Sequence, residues 1–179
     1  KIKRIMNMLF YHESWDIMII KDHGTHLFPD NTLEILNKSA AQQLKKKYTF
    51  QADPFLIEKD DKLYVFYEAF SFRNSKGTLR CRILDRELTE IDDVKLEGFD
   101  DLRCHLSFPF LININNQLFM IPESSERKEV LLFQSVEFPA RWKKIKVLLS
   151  DTEVTDNIFL SINETCYLLS TTMDNKIII

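Results

Sequence analysis

Glycine and proline are both scarce in this chain of 179 residues, which holds 3 Gly and 5 Pro against 14 Phe. So few glycines exclude a glycine-rich loop for phosphate, and the pattern G-x-x-x-x-G-K-[ST] is absent. Positive charge is not in excess either, since the net charge is -3, which argues against nucleic acid or an anionic membrane as the partner. No run of about 18 apolar residues occurs, so we predict no membrane-spanning segment.

Cysteine is equally rare and follows no pattern. Cys81, Cys104 and Cys166 lack C-x-x-C spacing, which predicts buried, reduced thiols rather than a disulfide framework or a zinc site. No H-x-x-x-H motif is present, so we expect no bound metal and no cofactor. The basic, apolar start KIKRIMNMLF is not followed by the small-residue cleavage site of a signal peptide, and we therefore expect a cytoplasmic location.

A repeat is what the sequence does contain. Three segments align without a gap: DPFLIEKDDKLYVFYE (53–68), FPFLININNQLFMIPE (108–123) and DNIFLSINETCYLLST (156–171). In each, a short polar break separates two apolar runs, and the breaks are centred on residues 60–61, 115–116 and 163–164. The breaks are rich in Asn and Asp, which tolerate the left-handed backbone of a two-residue turn, so each segment is predicted to be a β-hairpin.

Two alternating apolar and polar stretches follow each of the first two hairpins: GTLRCRILD (77–85) with TEIDDVKLEG (89–98), and KEVLLFQSV (128–136) with RWKKIKVLLS (141–150). Such alternation is typical of half-exposed strands. Each unit is therefore predicted to be a four-stranded antiparallel meander whose inner pair is more apolar than its outer pair. This gradient is what a propeller blade needs, because its inner strands are covered by neighbouring blades.

The fold class that we predict is all-β, a β-propeller forming one domain over residues 1–179, with blade repeats that start near residues 53, 108 and 156. Residues 1–50 are interpreted as a partial blade, with an outer strand in SWDIMIIKD (14–22) and a short helix in NTLEILNKSAAQQLKKK (31–47). A closed propeller has about four to eight blades. Three units and a fragment therefore predict an incomplete propeller.

Carboxylates stand at the end of these hairpins that lies away from the turns. If each hairpin folds about the centre of its break, Asp53 faces Glu68, Phe108 faces Glu123, and Asp156 faces Thr171. These ends converge on one mouth of the central channel if the blades pack around a common axis. The alternative is that each acid caps a loop or accepts backbone N–H groups. Two carboxylates held close together also disfavour joint ionisation, which raises one pKa.

His105 and Ser107, in RCHLSFPF (103–110), alternate with apolar residues just before the second hairpin and are predicted to share one face. Near the acids they become candidate ligand-binding residues, although a lone histidine is more often structural. A Ser-His-Asp triad is conceivable from these residues, but no G-x-S-x-G motif supports a nucleophilic serine. The aromatic residues Phe55, Phe108 and Phe110 are candidates for stacking on a ligand, with core packing as the default.

The segments ADPFLIEKDDKLYVFYE, HLSFPFLININNQLFMIPES, VLLFQSVEFPARWKKIKVLL and TDNIFLSINETCYLLST together resemble the N-terminal domain of glucosamine inositolphosphorylceramide transferases and its bacterial relatives. That domain is similar to the five-bladed propellers of glycoside hydrolase family 43. The resemblance covers about residues 50–172, in order. It implies a five-bladed, carbohydrate-active propeller that binds a glycan or a sugar nucleotide at the channel mouth.

The resemblance also implies roles for individual residues. Enzymes of the family 43 type use an Asp base, a Glu acid and a second Asp, which Asp53, Glu123 and Asp156 match as catalytic candidates, while Glu68, His105 and Ser107 are candidates for substrate binding. If the site is active, Glu123 protonates the departing oxygen and Asp53 activates water or an acceptor hydroxyl. Phe108 stands where such an enzyme places a blade-opening Asp, which favours the alternative of a non-catalytic binding module beside a transferase domain. A propeller that binds only other proteins is a third alternative.

Overall fold

The computed structural model describes residues 14–20, 41–73, 75–163, 165–174 and 176–178, and these form four antiparallel sheets. The first sheet pairs β1 (Met18–Ile20) with β2 (Ala41–Gln43). The first complete blade is a meander of β3 (Phe50–Lys59), β4 (Lys62–Ser71), β5 (Lys76–Leu84) and β6 (Glu90–Lys95). The second consists of β7 (Ser107–Ile114), β8 (Gln117–Glu123), β9 (Val130–Glu137) and β10 (Arg141–Leu149). The third blade has three strands, β11 (Val154–Ile162), β12 (Thr165–Thr172) and β13 (Ile177–Ile178).

These sheets confirm the all-β propeller class. Strand order within each blade follows chain order, and the inner strands lie side by side, with β3 next to β7 and β7 next to β11. Two short 3-10 helices, Asp100–Leu102 and Ser125–Arg127, lie in the connections. The described residues hold four sheets rather than a closed ring, as expected for an incomplete propeller. None of their helices is long and apolar enough to cross a membrane.

The predicted hairpin turns are present. Lys59 pairs with Lys62, so the first turn has two residues, and Asp60 and Asp61 both have positive φ, at 50° and 58°. Asn115 and Asn116 form the second turn in the same way, with φ of 51° and 61°. Positive φ at both central residues defines the type I′ turn, whose twist matches that of the flanking strands.

The hairpin register differs from the prediction by one residue at the end away from the turns. Ala52, not Asp53, faces Glu68, and the register shifts between Ala52 and Phe55. Ser107 likewise faces Glu123 in the place of Phe108. In the third hairpin Thr155 takes the place of Asp156 opposite Thr171, with a shift before Ile158.

A β-bulge in each inner strand causes this slip. The bulge inserts one extra residue opposite a single partner, and its strained residue adopts a left-handed backbone. Asp53, Phe108 and Asp156 occupy that position, with φ of 52°, 43° and 53°. The three blades therefore repeat the same irregularity at the same place. Asp tolerates this backbone, whereas a bulky side chain such as Phe is an outlier there.

Apolar side chains fill the spaces between neighbouring sheets. Phe66 of the first blade and Phe133 of the second are fully buried in one shared cluster, which also contains Trp142. A second cluster joins the segment around β1 to the first blade, and a third joins the second blade to the third. The second strand β4 is almost continuously buried, while the outer strands β6 and β10 are mostly exposed. The innermost strand β3 is more exposed than the third strand β5, so the predicted contrast between a covered inner pair and an exposed outer pair is correct only for the second and the outermost strands.

Some details of the prediction were wrong or lie outside the described residues. The strand expected in residues 14–22 is confirmed as Met18–Ile20. Residues 31–40 of the expected helix are not described, and the part of it at Ala41–Gln43 is a strand paired with β1. Cys81 and Cys104 are buried free thiols as predicted, but Cys166 is exposed, because it lies near the turn of the third hairpin, where both strands are exposed.

Candidate functional site

The structure brings together all six residues that the sequence singled out. We call Asp53, Glu68, Glu123 and Asp156, with His105 and Ser107, the acid mouth. Two direct contacts join the blades at this place: Asp53 Oδ2 accepts a hydrogen bond from the backbone N–H of Phe108 at 3.2 Å, and Glu123 Oε2 accepts one from the N–H of Asp156 at 3.3 Å. A carboxylate of each blade therefore holds the bulge of the next.

The bulges determine which residues supply these carboxylates. In the first blade the bulge residue Asp53 is itself the acceptor. In the second blade the bulge residue is Phe108, which has no acceptor in its side chain, and Glu123 on the neighbouring strand takes that role. Asp156, the bulge residue of the third blade, is exposed at the open side of the mouth. The expected alternative, that these acids accept backbone N–H groups, is thus correct for two of them.

His105 connects the first blade to the start of the second. Its Nδ1 accepts a hydrogen bond from the Gly77 N–H at 3.0 Å, so the neutral ring carries its proton on Nε2. That Nε2 lies 3.1 Å from Glu68 Oε1, and the contact becomes an ion pair when the ring is protonated. The contact with Glu68 raises the pKa of His105 above its ordinary value of 6.5, more than burial of the ring lowers it.

Gly77 is required for this arrangement. A Cβ atom at Gly77 would overlap Glu68 Oε1 and would lie 2.6 Å from the Leu106 carbonyl oxygen and 2.8 Å from His105 Cε1. Only a residue without a side chain lets the strand approach so closely. The sequence showed Gly77 merely as one of 3 glycines, without indicating its partners.

A catalytic triad is not assembled. Both ring nitrogens of His105 are engaged, Nδ1 with Gly77 and Nε2 with Glu68, so neither faces Ser107. Ser107 is buried and lies opposite Glu123 in the β7–β8 pair. In the described part of the chain, no group of three or more His, Cys, Asp or Glu residues is placed to hold a metal ion.

Burial raises the pKa of two carboxyls of the mouth, those of Asp53 and Glu123. Burial raises the pKa of Asp53 above 3.8, and the charges of Glu68 and Asp156 raise it further, against the lowering by the Phe108 N–H. Burial also raises the pKa of Glu123 above 4.5, and the hydrogen bond from Asp156 N–H only partly opposes this rise. The hydrogen bonds from Phe108 N–H to Asp53 and from Asp156 N–H to Glu123 bring the bulges of the three blades together at this mouth.

The three aromatic residues that were candidates for stacking on a ligand pack against one another instead. Phe55 makes edge contacts with Phe108 and Phe110, with ring centroids 5.1 and 5.8 Å apart. These rings pack against one another and are half-buried, which is the default of core packing.

A cavity of about 480 Å³ opens beside the acids, between the residues 15–18 and β3. Asp53 and Glu68 line it, together with Trp15 and Gln51, which sequence reasoning missed because nothing in their spacing marks them. A larger cavity, of about 800 Å³, lies at the turn end of the first two blades, away from the acids. We regard the smaller cavity as the site because Asp53, whose pKa is raised by burial, lines it.

Residues 20–177 match the family model described as "Glucosamine inositolphosphorylceramide transferase 1, N-terminal". Glucosamine inositolphosphorylceramide transferase 1 of Arabidopsis thaliana is 38% identical over 111 residues, covering 61% of this chain and 14% of the relative. The protein of the same name from Oryza sativa subsp. indica is 35% identical over 102 residues, covering 56% of this chain and 13% of the relative.

Matched residues thus span about one seventh of the length of these relatives. Among solved structures, the chain is similar to Bacteroides ovatus Xyloglucan PUL GH43B, with a TM-score of 0.48 and 16% identity, over 68% of this chain and 24% of that chain.

Proposed function

Because the chain belongs to the family of the N-terminal domain of glucosamine inositolphosphorylceramide transferase 1, we propose that it is a carbohydrate-binding propeller domain. Its ligand is a glycan that lies in the acid mouth. In a longer protein of the family, such a domain would act as a rigid binding platform beside the transferase activity that the relatives' names state.

One observation carries this proposal: hydrogen bonds to carboxylates link the bulges of three consecutive blades, and two of the acids there, Asp53 and Glu68, line a cavity. Carboxylates are acceptors with several lone pairs, which suits the many hydroxyl donors of a sugar. A group of partly desolvated acids costs folding free energy, and a ligand that donates hydrogen bonds relieves that cost. Concave sites with a few convergent polar groups are the usual ligand sites of proteins.

Binding is favoured over hydrolysis by the partners of the two candidate catalytic acids. Asp53 and Glu123 each accept a backbone N–H of the next blade, so part of their acceptor capacity serves the fold. The second bulge offers Phe108 instead of a further acid. Both features suit a rigid platform better than a set of acids that must exchange protons during turnover.

Hydrolysis is the second candidate, and the raised pKa of Glu123 favours it. A general acid must hold its proton near the working pH, which burial of the carboxyl promotes. In that case Glu123 protonates the departing oxygen and Asp53 serves as the base. A cytoplasmic location stays a prediction, with which the three free cysteines are compatible.

The proposal is tested by a glycan array with the wild-type chain and Glu123→Gln, which removes the charge and keeps an acceptor for Asp156 N–H. We expect wild type to bind at least one glycan, and Glu123→Gln to bind it about tenfold or more weakly. Glu153→Gln, an exposed carboxylate outside the mouth, is the control and should bind as wild type.

Two other results separate the rivals. Release of a sugar product by wild type, lost in Glu123→Gln and Asp53→Asn, establishes the hydrolase. Absence of any glycan bound by wild type contradicts carbohydrate binding and favours a propeller that binds proteins.

A further inference from the structure

We propose that the ligand is a pyranose ring without phosphate, held in the cavity beside the acid mouth with Trp15 under its face and the Gln51 amide donating to one of its oxygens. This inference rests on the proposed function and specifies where the sugar lies and which class of sugar it is. It selects the glycan over the sugar nucleotide.

Gln51 supplies the first argument, because it is a fully buried side chain in the cavity wall with an unused donor. Its Nε2 has no hydrogen-bond partner among the residues that the structure describes. A buried donor without a partner costs about 1–3 kcal/mol. The atom is closed to solvent in the free chain, so a sugar oxygen would accept this hydrogen bond once the cavity wall opens around the amide.

The orientation of that amide is fixed by chemistry. Gln51 Oε1 receives a hydrogen bond from Arg82 Nη2, and a guanidinium can only donate, so the amide oxygen must face Arg82 and the NH₂ group must point away. Arg82 is itself held in place, since it is fully buried with Tyr67 Oη 3.4 Å from its Nε and Glu90 Oε2 3.5 Å from its Nη1. The free Nε2 is therefore a consequence of the buried arginine.

Trp15 supplies the second argument. Its carbonyl oxygen accepts the Gln51 N–H at 2.9 Å, which places the two residues side by side, and its side chain is 58% exposed in the cavity wall. An indole ring exposed in a cavity presents a flat apolar face, which fits the C–H face of a pyranose. The other tryptophan, Trp142, is 3% exposed and belongs to the core.

The negative charge of the cavity lining favours a sugar without phosphate over a sugar nucleotide. The cavity is lined by Asp16, Asp53 and Glu68, and no Lys, Arg or His is among the described residues that line it. Lys46 Nζ lies 3.6 Å from Asp16 Oδ1 and compensates one of the three charges. His105 Nε2 lies 3.1 Å from Glu68 Oε1 and offsets that charge when the ring is protonated. The diphosphate of a sugar nucleotide would therefore meet mainly the Asp53 carboxylate, with no cation in the described lining to bind it, whereas hydroxyl groups donate to a carboxylate.

Tryptophan fluorescence of the 179-residue chain tests the inference. The probes are a phosphate-free oligosaccharide identified on the glycan array and UDP-N-acetylglucosamine. We expect the oligosaccharide to change the emission and to protect it from acrylamide quenching, since Trp15 is exposed and Trp142 is already shielded. The oligosaccharide should bind about tenfold or more tightly than the sugar nucleotide.

Three variants locate the sugar. Trp15→Ala should weaken binding about tenfold, and Trp15→Phe should stay within about threefold of wild type, because it keeps an aromatic face. Gln51→Glu keeps the acceptor for Arg82 and so the fold, but replaces the donor, and binding should weaken about threefold or more. Val136→Ala, at an exposed apolar residue of the larger cavity, is the matched control and should leave binding unchanged.

Contradicting results are distinct for the two proposals. Oligosaccharide binding that is lost in Glu123→Gln but unaffected by Trp15→Ala and Gln51→Glu overturns this inference and leaves the proposed function standing. Tighter binding of the sugar nucleotide overturns the selection by charge. No binding of any glycan on the array overturns both proposals.

Discussion

Asp53 Oδ2 accepts a hydrogen bond from the backbone N–H of Phe108, 3.2 Å away, and so joins the equivalent bulges of two consecutive blades. The same kind of contact recurs one blade later, where Glu123 receives the N–H of Asp156. The acids that mark the candidate sugar site are therefore also the contacts that set the spacing of the blades. The same side chains belong to the candidate binding site and to the contacts between blades. Their substitution should therefore change stability as well as binding.

Asp53→Asn should stabilise the fold at pH 7. Asn keeps an acceptor for the Phe108 N–H and tolerates the φ of 52°, while it removes a partly buried charge beside Glu68. We expect a gain of about 0.5–2 kcal/mol in the free energy of unfolding, measured by urea denaturation. Loss of function with gain of stability is typical of a binding site.

The pH dependence of the stability gain in Asp53→Asn follows from the raised pKa of Asp53. The folded chain holds this proton more tightly than the unfolded chain, so the stability from Asp53 is full below 3.8 and is lost as pH rises through the folded pKa. The advantage of Asp53→Asn should therefore shrink toward pH 3. Asp60→Asn, at an exposed turn residue with φ of 50°, is the control. An advantage that is equal at both pH values would refute the burial of charge as its cause.

Gly77→Ala should damage the junction between the first two blades. The added Cβ overlaps Glu68 Oε1 and crowds His105, so we expect a loss of about 1–3 kcal/mol in the free energy of unfolding. The pKa of His105, followed by NMR of its ring, should fall toward 6.5 as the contact with Glu68 opens. Ser71→Ala, one strand away at the register position next to Gly77, adds no atom and should change neither quantity. An unchanged His105 titration in Gly77→Ala would contradict the contact.

Phe108 has a strained, left-handed backbone at the bulge, with φ of 43°. Removing the side chain relieves about 1–2 kcal/mol of strain in a non-glycine residue. Phe108→Gly should therefore cost about 1–2 kcal/mol less stability than Phe110→Gly, although both rings pack on Phe55. Denaturation of the two variants by urea compares them directly. Equal losses would show that the strain is absent or is compensated elsewhere.

Cys166 should be the fast-reacting thiol of the described chain. It is exposed, whereas burial of Cys81 and Cys104 raises the pKa of each and keeps both as thiols. A maleimide should label one thiol rapidly in the native chain and three after unfolding. In Cys166→Ser the rapid labelling should disappear, and its persistence there would mean that one of the buried thiols is accessible.

The hairpins, their turns and the meander order could be predicted because they depend on local chemistry. Asn and Asp pairs select type I′ turns, and alternation of apolar residues defines the strands. The register near Asp53 could not be predicted, because the sequence does not distinguish an inserted bulge residue from an ordinary strand residue. The short strand at Ala41–Gln43 was also missed, since its residues are common in helices and only pairing with β1 makes it a strand.

The candidate site was predicted in part. Recurring acids at matching places indicated a common mouth, and the slip of one residue left them close together. Gln51 and Trp15 escaped notice because their roles depend on partners far away in sequence or on the shape of the cavity. Gln51 acquires its free donor only through Arg82, which is 31 residues further along the chain.

The pKa of Asp53, measured by carbon-13 NMR in wild type and in Asp156→Asn, tests most directly whether acids from separate blades share one mouth. Asp156 lies on the third blade and Asp53 on the first, and the charge of Asp156 raises the pKa of Asp53. We predict a pKa above 3.8 in wild type that falls in Asp156→Asn and stays unchanged in the control Asp151→Asn. An ordinary pKa in wild type, or one that Asp156→Asn does not move, would contradict the shared mouth.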